Sequence, residues 1–150
     1  MKYYVILLLS LCLSVHADAQ TPEDSVKTVI NNLFTAMKNA DAVLLKSVFA
    51  DSAILQTITR NKEGKTVVQT DGVAGFVDFV SKQAKDAADE RITIDLVKID
   101  GPLAIVWTPY KFYFNGKFSH CGVNSFQLVR LNGNWKIQYL IDTRRRTGCE

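Results

Sequence analysis

Two Asn-Gly pairs, Asn115-Gly116 and Asn132-Gly133, divide the last third of the chain into three long apolar-rich runs: LAIVWTPYKFYF, KFSHCGVNSFQLVRL and NWKIQYLIDTRRR. Asn-Gly suits a two-residue hairpin turn because both turn residues must take φ > 0. Two such turns in series fix the register of three antiparallel strands, and register decides which side chains share a face. Counting outward from the second turn places Leu131 opposite Asn134, Leu128 opposite Ile137, Phe126 opposite Tyr139, Asn124 opposite Ile141 and His120 opposite Arg145. The first turn places Phe114 opposite Lys117, Trp107 opposite Asn124 and Ile105 opposite Phe126. On this register Ile105, Trp107, Phe126, Leu128, Ile137, Tyr139 and Ile141 share the core face. The other face carries Ser125, Gln127, Lys136, Gln138 and Leu140 and is more polar. Asn124 and His120 are polar groups on the core side, so they bond each other and nearby backbone or line a cavity. Pro109 cannot donate to a ladder and Gly122 invites a bulge, and a bulge at either place reverses the facing of Tyr110, Cys121 and His120.

The preceding part reads as helices and shorter strands. Thr21-Pro22-Glu23-Asp24 combines a capping hydroxyl, Pro at the first helical position and acids in the first turn. Val26, Val29, Ile30, Leu33, Phe34 and Met37 then recur at helical spacing, to a stop near Asn39. Asp41 caps a shorter helix with Val43, Leu44, Leu45, Val48 and Phe49. Residues 53–60 and 65–70 form a strand pair around the turn Asn61-Lys62-Glu63-Gly64. A third helix opens at Asp71 or Gly72, shows Val73, Phe76, Val77, Val80 and Ala84 on one side, and runs out in KQAKDAADE. Residues 91–99 alternate as a strand before Asp100-Gly101-Pro102. The order is α-α-β-β-α-β-β-β-β.

Residues 1–19 read as a signal peptide: Lys2, an apolar stretch from Val5 to Val15, and Ala17-Asp18-Ala19 at the cleavage point. Leu11 before Cys12 argues against a lipoprotein, which needs a small residue there. The mature chain then starts at Gln20, outside the cytoplasm, with no second apolar segment for a membrane. Residues 20–150 suit one domain. The net charge of +3 survives cleavage, since Lys2 and Asp18 leave together, and is too mild to imply a nucleic-acid partner. Arg144-Arg145-Arg146 reads as a solvated strand end, with a nucleic-acid patch as its rival. Cys121 and Cys149 remain after cleavage, and an oxidising compartment favours a bridge pinning the tail to the sheet. The alternative is two independent thiols. His120 is the only mature histidine, so no metal site is expected.

His120-Cys121-Gly122, Trp135-Lys136-Ile137 and Asp142-Thr143-Arg144, on this order of elements, resemble the exported bacterial branch of the nuclear transport factor 2-like superfamily, grouped with polyketide-cyclase-like and lumazine-binding-like members. The resemblance covers nearly the whole mature chain. It implies a cone-shaped, cystatin-like α+β fold, with a curved, mainly antiparallel sheet wrapped around a long N-terminal helix and enclosing a cavity. It also implies a homodimer through the outer sheet face, where Tyr110, Phe112, Val123 and Val129 lie on the register above. It names no reaction, because this scaffold serves isomerases, hydrolases, dehydratases and binders.

Catalytic members need an inward carboxylate and an oxyanion donor. Asp71 reads as a cap, Asp78 and Asp95 as outward, and Asp100 as a turn residue. Asp142 shares a strand face with Arg144, away from the core on this register, as a surface ion pair; a bulge at Gly122 would bring it to His120 at the cavity mouth. Arg60 reads as a surface residue. The cavity candidates are therefore Trp107, Tyr110, His120, Asn124, Tyr139, Asp142 and Arg144. Two readings follow: an exported domain holding an apolar or flat small molecule without a cofactor, or a cofactor-free isomerase, hydrolase or dehydratase with an acid/His cluster. The first is preferred because no inward carboxylate can be placed.

Overall fold

A computed structural model describes residues 21–149; the expected signal peptide and its cleavage site lie outside the described residues. Helix α1 spans Pro22–Asn39, and Thr21 and Asp24 close a reciprocal capping box at its start. Its stripe of Val26, Ile30, Leu33, Phe34, Ala36 and Met37 is buried, and Phe34 meets Phe126 edge-on at 6.2 Å. Helix α2 covers Ala42–Ser47 and is capped by Asp41. Phe49, expected in that helix, instead opens strand β1, Phe49–Arg60. Strand β2 is Thr66–Asp71 and helix α3 is Val73–Ser81.

Strands β3 (Ala88–Ile92) and β4 (Leu96–Asp100) stand where one strand over 91–99 was expected. Both pair with β5, Leu103–Phe114, one after the other along its edge. Pro109 sits at their junction, where its carbonyl accepts from Thr93 N–H at 3.0 Å. A strand residue points its N–H and C=O to the same side, so the missing donor of Pro109 falls at this break. Strands β6 (Lys117–Leu131) and β7 (Asn134–Thr143) complete one curved sheet ordered β2-β1-β7-β6-β5-β3, with β4 beside β5. Only the β1–β7 pair is parallel. The two Asn-Gly turns form as expected, with Asn115, Gly116, Asn132 and Gly133 all at positive φ.

The register holds beside each turn and then slips by one residue on both sides of β6. Toward β5, Tyr113 faces Phe118 but Phe112 faces His120, leaving Ser119 as the extra residue. Toward β7, Leu128 faces Ile137 but Gln127 faces Tyr139, leaving Gln138 extra. Gln138 is held there by its amide, which donates to Ser52 O at 3.0 Å, inside the irregular part of the β1–β7 pairing. The expected core face is therefore corrected. On β5 it is Ala104, Val106 and Thr108 that are buried, whereas Ile105 and Trp107 are 40% and 46% exposed on the outer face. On β7 the inward residues are Ile137, then Leu140 and Asp142, and Tyr139 and Ile141 point away. Tyr110 and Phe112 face inward, not toward the outer face expected of them. The bulges are not at Pro109 or Gly122.

The tail beyond β7 folds back on β6. Arg145 and Cys121 exchange two backbone hydrogen bonds of 2.9 Å, and Cys121 is bonded to Cys149 with Cα atoms 5.7 Å apart.

Candidate functional site

The sheet curves around α1 and leaves a cavity of about 490 Å³ between it, α3 and the C-terminal end of the chain. One side is apolar: Leu33, Phe34 and Met37 of α1, Phe76 and Phe79 of α3, with Leu55 and Leu140 from the sheet. The other side carries Thr57, Glu90, Tyr110, His120, Asn124, Asp142 and Arg144.

The slip at Gln138 is what turns Asp142 inward, so the surface ion pair expected for it is corrected: the residue is 7% exposed. Its Oδ1 accepts from Thr57 Oγ1 at 2.6 Å. Its Oδ2 accepts from Tyr110 OH at 3.2 Å and from Arg144 Nε at 2.8 Å. Arg144 Nη2 also donates to Thr57 Oγ1 at 3.0 Å. Asp142 thus has both oxygens engaged and fixes the guanidinium at the mouth. The single Tyr110 proton is shared between this carboxylate and Thr143 O, which lies 2.9 Å from the phenol oxygen. The Tyr110 phenol is held well above its ordinary pKa by burial, and the carboxylates of Asp142 and Glu90 add to this.

Asn124 pairs with Thr108 across β5–β6 and with Asp142 across β6–β7, as the two slips require. Its amide donates to Glu90 Oε1 at 2.8 Å and toward Thr108 Oγ1 at 3.3 Å. Among the described residues, no other hydrogen-bond partner of Glu90 is present. Glu90 is pushed up to about 7, chiefly by loss of solvation inside the cone; the Asn124 bond and Arg144 pull it down, and the charge of Asp142 pushes it up. His120 lies beside Phe112 and Tyr110, with ring centroids 5.1 and 5.7 Å away, and its Nδ1 is 3.0 Å from Ser119 Oγ. Burial, then the positive charge of Arg144, keeps its pKa below the ordinary histidine value.

Of the seven residues expected in the cavity, the structure brings together Tyr110, His120, Asn124, Asp142 and Arg144. Trp107 lies on the outer face, and Tyr139 points to β1, where its OH donates to Gln56 Oε1 at 2.7 Å. Glu90, Thr57 and Thr108 were not anticipated. Glu90 was hidden because KQAKDAADE has a helix-forming composition; the signal that reveals it is the alternation Ala88, Glu90, Ile92, which starts β3 three residues before Arg91. No group of three metal-ligating side chains occurs among the described residues, and no helix among them is long and apolar enough to cross a membrane.

A curved, unclosed sheet around a long helix, with a mouth between helices and strand ends, defines an α+β protein of the cystatin-like, nuclear transport factor 2-like class. An NTF2-like protein of unknown function from Shewanella baltica OS155 superposes with a TM-score of 0.67 at 14% identity, over 83% of this chain and 94% of that one. An NTF2-like protein of unknown function from Methylobacillus flagellatus KT gives 0.63 at 18% identity, over 82% and 91%. A domain of unknown function with a cystatin-like fold from Nostoc punctiforme PCC 73102 gives 0.64 at 16%, over 84% and 78%. Identities this low bear on the fold alone. Within the class, the sequence profile of the family described as "Putative lumazine-binding" matches residues 21–139, and the chain belongs to that family. No functionally curated protein matches it.

Proposed function

We propose that the mature chain is an exported small-molecule-binding domain that holds a flat or apolar ligand in the cone. The observation that carries this reading is the cavity of about 490 Å³ with one aromatic and aliphatic wall and one hydrogen-bonding wall. Small-molecule sites combine these two features, the first for affinity and the second for orientation. The family description, which refers to a flat heterocycle, agrees with such a shape. The disulfide and the leader-like residues 1–19 support export. The net charge of +3 favours a small molecule over a nucleic acid as partner. A homodimer through the sheet is supported by the outer apolar face, where Leu103, Ile105 and Trp107 are exposed.

The test is titration with an uncharged, flat fluorescent probe such as riboflavin, alone and in competition. Phe79→Ala, at a half-exposed ring lining the cavity, and His120→Ala should each weaken probe binding about 10-fold with the melting temperature little changed. Binding that both variants leave intact overturns the reading.

A second reading is favoured by one observation. Glu90, with its carboxyl near 7, faces the same cavity as His120 and so has the poise of a proton-transfer group. This supports a cofactor-free isomerase, hydrolase or dehydratase. Its test is turnover of a carbonyl substrate panel that Glu90→Gln abolishes and His120→Ala slows.

A further inference from the structure

Resting on the reading of the cone as a ligand site, we propose that its ligand is a cation: a flat apolar molecule carrying one amine or ammonium group that pairs with the uncommitted oxygen of Glu90. Three carboxylates line the cavity, Asp71 at the rim and Glu90 and Asp142 within, against the single guanidinium of Arg144. Arg144 is already matched. Its Nε bonds Asp142 and its Nη2 bonds Thr57. Both oxygens of Asp142 are engaged, by Thr57 on one and by Tyr110 and Arg144 on the other. Asp71 is reached by Gln69 Nε2 at 3.2 Å.

Glu90 alone has one oxygen engaged, by Asn124, and the other left for whatever fills the space in front of it. Once ionised, Glu90 adds a negative charge that Arg144, already paired with Asp142, offsets only in part. The cavity can shed that charge only by taking up a proton or a cation. Its carboxyl holds a proton up to about 7, so a proton can take this place.

The other charged groups around Glu90 do not supply the missing cation. Tyr110 on β5 stays a neutral phenol, and burial and the charge of Arg144 both disfavour the charged form of His120 on β6. On α1, Lys38 is engaged by Asp86 and Asp89. An anionic ligand could reach the remaining N–H groups of Arg144, but Asp142 already balances the charge behind them and the ligand would then face Glu90. The opposite wall, with Phe34, Phe76 and Phe79, and Phe112 on β5 beside Glu90 suit an organic cation, because aromatic rings attract positive charge as well as apolar surface.

The experiment is calorimetric titration of the intact mature protein with three probes of one shape, naphthylmethylamine, naphthylmethanol and naphthylacetate. At about pH 8 the amine should bind roughly 10-fold tighter than the alcohol, and the acetate weakest; toward about pH 5.5, with Glu90 protonated, the preference should vanish. Glu90→Gln should keep alcohol binding and lose the preference for the amine. In the unmutated protein, saturating amine should lower the NMR titration midpoint of the Glu90 carboxyl by about one unit, a readout that does not depend on the variant folding. Equal affinity for alcohol and amine at about pH 8, tighter binding of the acetate, or an amine preference that survives Glu90→Gln overturns the proposal but leaves the cavity a ligand site. Failure of all three probes overturns both.

Discussion

Gly122 and Thr143 pass so closely that a Cβ on the glycine would stand 1.7 Å from the Thr143 carbonyl oxygen. The same Cβ would meet the Tyr110 ring at 2.8 Å. The glycine is therefore the gap through which the end of β7 reaches Tyr110, whose OH bonds Thr143 O and Asp142. Both obstructing atoms near it are fixed, one in backbone and one in a buried ring. Gly122→Ala should destabilise the fold by about 3 kcal/mol or more, as overpacking against atoms that cannot yield. Equilibrium unfolding in urea measures this. A loss under about 1 kcal/mol would show that β7 shifts freely and that the Tyr110–Asp142 contact is not held by this approach.

Glu90 gives the stability of the protein a definite pH slope. Its folded carboxyl titrates near 7, against an ordinary value of 4.5. A raised folded pKa means that the native state binds more protons than the unfolded chain between these values, so stability falls as pH rises from about 4.5 through about 7. Because the group is only partly enclosed, the change is on the order of 2 kcal/mol. His120 slopes the other way: its lowered pKa makes the folded state lose stability as pH falls past the ordinary value of 6.5. Comparison of wild type with Glu90→Gln cancels the histidine. Glu90→Gln should be no more stable than wild type at about pH 4.5 and more stable at about pH 8. Parallel curves across this range would place Glu90 in a wetter site than the cone provides.

The parts of the fold carried by local chemistry were legible in the sequence. The capping box at Thr21, the helical stripe of α1 and both Asn-Gly turns form where their residues require them. The inward facing of Asn124, Phe126 and Leu128 on β6 was legible for the same reason. The neighbours of β6 were not. A bulge has no obligatory residue type, and those at Ser119 and Gln138 each shift one flanking strand by a single position, which reverses every side chain beyond it. Trp107 left the core and Asp142 entered it for this reason alone. What holds the second bulge, Gln138 against Ser52, joins residues 86 apart in the sequence, and no local pattern contains it. Glu90 was hidden differently, by helix-forming neighbours that tertiary pairing with β5 overrides.

The Asp142 carboxylate should contribute to stability as well as to the site. Thr57, Tyr110 and Arg144 all present donors to it, so an amide at this position must turn its own N–H groups toward at least one of them. Asp142→Asn should cost about 2–3 kcal/mol, chiefly from donors left facing a donor within a buried cluster. It should also free the Arg144 side chain, seen as loss of slow exchange for its Nε–H in NMR spectra. A variant as stable as wild type, with that proton still protected, would mean that Thr57 alone positions the guanidinium.

Cys121–Cys149 closes a loop with a sequence separation of 28. Cross-linking a loop of this length restricts the unfolded chain and is worth about 3–4 kcal/mol. Its local consequence is more specific. Arg144 is flanked on one side by the end of β7 and on the other by Arg145, whose two backbone bonds to Cys121 are the tail's only ladder contact with β6 among the described residues. The bridge keeps that contact closed and so keeps the guanidinium over Asp142. Reduction by a dithiol, or Cys149→Ser, should lower the melting temperature by several degrees. It should also raise hydrogen exchange at Arg145 N–H and Cys121 N–H far more than at the core amides of β6. Uniform loss of protection along β6 would show instead that the bridge stabilises the sheet as a whole and has no separate hold on the mouth of the cavity.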